Sequence, residues 1–115
     1  MWEKFNLRVT LNTILDRGIQ VNNLTETDGV AMLRREGFQE EVEARNKWLR
    51  ATLTPGQLSA YFGGYVEIVA LRDAMKRKQG SAFDLKGFHE QFLSYGGAPV
   101  KYIGELMLAP SGLRP

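Results

Sequence analysis

Two phenols one helical turn apart, Tyr61 and Tyr65 in the stretch LTPGQLSAYFGGYVEIVALR, are the side chains of this sequence with the most chemical reach. At 100° per residue they share a face with Leu58, Ile68 and Val69. Two readings stand for them. One is core packing with hydroxyls that reach water; the other is a phenol aimed into a cleft. A zinc site takes three or four ligands, usually His or Cys. This chain has one histidine, no cysteine and no H-E-x-x-H element. Neither Gly-rich phosphate motif is present, and a lone His89 makes no Ser-His-Asp arrangement. His89 reads as a partly buried structural residue beside Phe88 and Phe92. Lys76, Arg77 and Lys78 form a basic run with no interleaved aromatic residue. They fall in the last turn of a helix, where cations suit the dipole, and read as a solvated end rather than a nucleic-acid patch.

The elements that must position these residues read as six helices and no strand. The first covers about Trp2 to Val21 and stops at Asn22-Asn23. The second starts after Thr25, with Asp28 three residues on as in a capping box, and Gly37 is its expected C′ glycine. The third spans QEEVEARNKWLRAT, acidic at its start and basic at its end. The fourth is expected from Thr54 as N-cap, with Pro55 at N1 and Gln57 at N3, through to about Lys78. Its first four turns carry one charge, Glu67, and read as buried nearly all round. Ser59, Ala60, Gly63, Gly64 and Ala70 form a small-residue ridge that lets another backbone approach. Asp84 caps the fifth helix, Gly96 or Gly97 ends it, and the sixth runs from Pro99 to about Leu108.

A length of 115 residues suggests one all-α domain over 1–108 with a flexible tail at 109–115. The net charge of +2 is too small to argue for nucleic acid by itself. No apolar run has the length of a membrane span. MWEKFNLRV lacks a signal-peptide pattern, and the absence of cysteine leaves cytosol and periplasm both open. The first helix has no N-cap residue and two apolar sides: Trp2, Phe5 and Val9 on one, Leu7, Leu11, Ile14 and Leu15 on the other. Such an arc belongs to a helix packed on more than one side. The expectation is a chain cut from something longer, with Met1 either an internal methionine or an artificial start.

The region from Leu53 onward resembles the C-terminal end of the bacterial domain of unknown function 885 proteins. The shared features, in order, are Pro55, Gln57, Tyr61, Gly64, Ile68, Leu71-Arg72, Phe83-Asp84-Leu85, Phe88-His89, Gly96 and Pro99. LDRGIQVNNLTETDGVAML, with Asp16 and Gly18, is similar to the preceding family segment. The resemblance covers roughly residues 7 to 108. It implies a helical, zinc-dependent, peptidase-like parent whose H-E-x-x-x-G-H-H type element lies upstream and is absent here. On that resemblance Tyr61 is the candidate to polarise a substrate carbonyl or hold an oxyanion. Gln57, Tyr65, Arg8 and Gln20 are the candidate substrate contacts. Gly64, Pro55, Asp84 and His89 are structural, and no residue here is a metal ligand. Gln20 stands where members often carry a histidine, and Asn12 where they often carry an arginine, with Arg8 one turn away.

The leading expectation is therefore a C-terminal helical segment that supplies cleft residues, binds no zinc and cleaves no peptide alone. Its partner would be the upstream catalytic segment, its substrate a peptide. The alternative is a stand-alone all-α interaction domain that homodimerises over the open arc of the first helix. Gly64 is expected to pack closely against another helix and fix the depth of Tyr61.

Overall fold

The computed structural model describes residues 1–110. Among these the helices are α1 (Trp2–Asn22), α2 (Glu26–Arg35), α3 (Glu41–Leu53), α4 (Ala60–Gln79), α5 (Leu85–Ser94) and α6 (Val100–Leu108). A 3-10 turn, Gly80–Ala82, follows α4, and there is no strand among the described residues. The chain is all-α, as expected. One domain was expected over 1–108; the packing groups the chain into two compact units, divided between Gly63 and Gly64 inside α4. The expected tail at 109–115 falls, from residue 111 on, outside the described residues.

The first unit is a three-helix packing of α1, α2 and α3. Its core is Leu11, Leu15, Val30, Leu33, Ala44, Ala51 and Leu58, with Leu7, Ile19, Leu24, Met32 and Trp48 against it. Leu15 and Leu33 are fully buried, each stabilising the fold by about 1.5–3 kcal/mol. On the other apolar side of α1, Val9 is buried while Trp2 and Phe5 are exposed and stack at 6.0 Å. Ile14, on the same side as Leu11 and Leu15, is exposed as well. Asn23 ends α1 in the left-handed region at φ 53, and Leu24 N–H reaches back to the Gly18 carbonyl. Thr25 caps α2, its hydroxyl oxygen accepting from Asp28 N–H.

The C-terminus of α2 departs from expectation. Gly37 does not take the positive φ; Phe38 does, at 53°. Gly37 serves close approach instead, since a Cβ there would lie 2.6 Å from the Leu33 carbonyl oxygen. Gln39 is buried outside α3, which starts two residues later.

The second unit buries Leu71, Met75, Phe88, Ile103 and Met107, with Phe83, Phe92 and Tyr95 packed alongside. Gly80 ends α4 at φ 55. Asp84 caps α5 by accepting from Gly87 N–H at 2.6 Å, and Gly96 follows α5 at φ 68. His89 is exposed rather than partly buried, though its ring lies 5.6 Å from Phe88. The basic run is more than a solvated end. Lys78 donates to the Leu108 and Ala109 carbonyls at the end of α6, where a cation meets unpaired acceptors. Lys76 sits 5.6 Å from the Phe83 ring centroid.

Three glycines separate close packing from open space. A Cβ on Gly29 would stand 2.5 Å from the Trp48 ring, where α2 meets α3. A Cβ on Gly63 or Gly64 would meet nothing within 4 Å. Gly63 and Gly64 of the small-residue ridge therefore have no close neighbour among the described residues, against the close packing expected for Gly64. The first turns of α4 are open too: Tyr61, Tyr65 and Val66 are exposed, and the helix buries only Leu71 and Met75. In urea denaturation Gly29→Ala should cost this chain about 1–3 kcal/mol by overpacking. Gly64→Ala should add up to about 1 kcal/mol by raising helix propensity. Equal losses at both positions would mean that the ridge is packed.

Candidate functional site

A buried carboxylate sets the place of the candidate phenol. Asp16 on α1 is 2% exposed. Its Oδ1 accepts from Gly56 N–H at 3.1 Å and its Oδ2 from the Ser59 hydroxyl at 2.7 Å. Gly56 holds φ 80, a left-handed conformation that breaks any helix through it. Thr54 donates its hydroxyl to the Arg50 carbonyl at 2.7 Å, closing α3 rather than capping α4. Residues 55–59 are consequently a turn, and α4 starts at Ala60 instead of just after Thr54. Pro55 lies in that turn and not at N1. Tyr61 becomes the second residue of α4, 68% exposed.

The candidate substrate contacts do not converge on one point. Arg8 and Gln20 are twelve residues apart on α1, or about 18 Å along its axis. Arg8 forms an ion pair with Glu43 of α3. Gln20 donates from Nε2 to the Ala51 carbonyl at 3.1 Å, tying α1 to the end of α3. Gln57 accepts at Oε1 from Arg50 Nε and Nη2, both at 3.3 Å. Glu43, Lys47 and Arg50 thus form a polar row along one side of α3. Arg8 lies at one end of it and Gln57 at the other. A shallow depression beside the row is lined by Val42, Glu43, Asn46, Lys47 and Arg50.

Burial pushes the Lys47 ammonium below the ordinary lysine value of 10.5; the Arg8 and Arg50 guanidiniums add to this, and Glu43 opposes it. Arg8 Nε and Asn12 Oδ1, one turn apart on α1, are buried without a hydrogen-bond partner among the described residues. Asp16 and Lys47 are the two organising residues that helix periodicity did not single out. A carboxylate between Leu15 and Gly18, in register with the buried side of α1, was the available signal for the first. The second depends on contacts between helices. No group of three His, Cys, Asp or Glu side chains among the described residues is placed to hold a metal ion.

The family model "Bacterial protein of unknown function (DUF885)" matches residues 1–107. The chain belongs to this family. A solved structure, described as a putative lipoprotein of unknown function from Shewanella oneidensis, superposes with a TM-score of 0.91 at 53% identity. The match covers 94% of this chain and 20% of that one, so the chain spans about a fifth of its relative's length. A search of curated proteins finds no match.

Two substitutions test the local account. Asp16→Ala removes both hydrogen bonds to a buried anion and should cost about 3 kcal/mol in urea unfolding; a loss below about 1 kcal/mol would contradict the latch. Lys47→Met should raise Tm at neutral pH. A lysine whose folded value is lowered binds fewer protons folded than unfolded, so the native protein gains stability as pH climbs toward 10.5. Lys47→Met should flatten that gain, and an unchanged slope would exclude Lys47 as its source.

Proposed function

We propose that this chain is the cleft-lining C-terminal helical part of a metallopeptidase-like DUF885 protein and has no peptidase activity by itself. One observation carries the reading: the chain reproduces a fifth of a much longer relative at a TM-score of 0.91. The exposure of Tyr61 at the start of α4 supports its part in it. Tyr61 donates its phenolic O–H to a peptide carbonyl oxygen as charge grows there. Such a donor contributes about 10²–10³-fold in kcat when it is held in place beforehand, and the Asp16 latch provides that positioning. Arg8 and Gln57 are proposed to orient the peptide from the two ends of the α3 row. No group of side chains among the described residues fits a zinc ion, which by resemblance belongs to the upstream part.

The experiment uses the Shewanella protein with residues 1–107 of this chain in place of its own matched segment. Peptide hydrolysis by that hybrid is expected, with Tyr61→Phe lowering kcat about 10²-fold and leaving KM nearly unchanged. Unchanged kcat in Tyr61→Phe would remove Tyr61 from the chemistry. No hydrolysis by either the hybrid or the unmodified Shewanella protein would overturn the peptidase reading. The alternative, a stand-alone homodimer, draws on the exposed Trp2–Phe5 stack, and a native mass of two chains would favour it.

A further inference from the structure

The connection between α2 and α3 holds two features that no contact among the described residues explains. Phe38 takes φ 53, a region in which a bulky residue is a genuine outlier, yet the residue is 79% exposed. Its neighbour Gln39 is 6% exposed, and neither Oε1 nor Nε2 has a hydrogen-bond partner among the described residues. Strain without packing and burial without pairing are both unfavourable.

The backbone at this knuckle is firmly held. The Leu33 carbonyl accepts from Gly37 N–H at 3.1 Å and Gln39 N–H at 3.2 Å. A Cβ on Gly37 would come 3.2 Å from Gln39 Nε2, so the amide is wedged in place. Gln39 lines an open recess with Ala31, Arg34, Arg35, Glu40 and Glu41. An ion pair of 3.2 Å between Arg34 and Glu41 joins α2 to α3 at that recess.

We infer that this knuckle docks onto polypeptide from the part of a DUF885 protein outside this region, with Phe38 entering an apolar pocket and the Gln39 carboxamide pairing with a backbone peptide group. A carboxamide presents an acceptor and a donor in one plane, which complements a peptide group. An aromatic anchor beside a desolvated polar pair is the usual make-up of an interface centre. The occupant follows from length: the matched region is 20% of the Shewanella chain, so the rest of that protein is at hand to cover the knuckle. The inference rests on family membership alone, not on the peptidase reading, and its test measures no activity.

In this chain alone, Gln39→Met and Phe38→Gly should each hold or raise Tm, since one removes an unpaired amide and the other relieves the backbone. In the hybrid described above each should lower Tm by about 2 °C or more. A fall in Tm for Gln39→Met in the chain alone would show that water already satisfies the amide, and would overturn the inference. Shifts of the same sign in both proteins would do the same. A second measurement needs no hybrid. Benzoylphenylalanine at the Shewanella position aligned with Phe38 should photocrosslink within one molecule to a peptide outside the matched region. No crosslink, or a crosslink between two molecules, would overturn the inference.

Discussion

A carboxylate taken out of water is costly unless its oxygens are hydrogen bonded. Asp16 meets that condition with no ion pair among the described residues, using one backbone N–H and one hydroxyl from residues forty and forty-three positions later. This single contact joins α1 to the turn that precedes α4. It holds Gly56 in a conformation that ends helical continuity and lets Leu58 reach the core of the first unit. Where α4 begins, and hence which way Tyr61 leaves the fold, depends on it.

The same logic runs through the first unit. Its polar groups mostly hold helices to one another: Arg8 to Glu43, Gln20 to the Ala51 carbonyl, Arg34 to Glu41 and Arg45 to Glu26. The surface pairs among these add little stability individually, but they fix the register between α1, α2 and α3. The candidates Arg8 and Gln20 are therefore structural ties between α1 and α3. Gln20 already has a partner in α3. Arg8 has one as well, although its Nε and the nearby Asn12 Oδ1 stay unmatched. The open faces lie elsewhere, on the early turns of α4, the start of α1 and the Phe38 knuckle.

Helix count and most helix ends were legible in the sequence because capping is local chemistry. Thr25, Asp84, Asn23 and Gly96 each act within a few residues of themselves. The start of α4 was not legible, because Thr-Pro-Gly-Gln reads locally as an N-terminus and the competing contact comes from Asp16, far away in sequence. The burial of α4 was misjudged for a related reason. An apolar, glycine-bearing helix looks buried by composition, but what covers it must be supplied by neighbours, and the described residues supply none at Gly63 or Gly64. Phe38 at positive φ could not be foreseen beside a glycine better suited to it. Gly37 was already required for its lack of a side chain against Leu33 and Gln39. Of the candidate site, resemblance selected the residues, and contacts between helices decided which of them share a row.

The claim on which the account turns is that Asp16, not helix packing, places the start of α4 and with it Tyr61. Amide hydrogen exchange of Gly56 tests it most directly. Gly56 sits in an exposed turn with its N–H bonded to the Asp16 carboxylate. The account predicts protection within about tenfold of that of the Leu15 amide, because opening the latch requires loosening the first unit. Exchange of Gly56 at the rate of an unstructured peptide would contradict it.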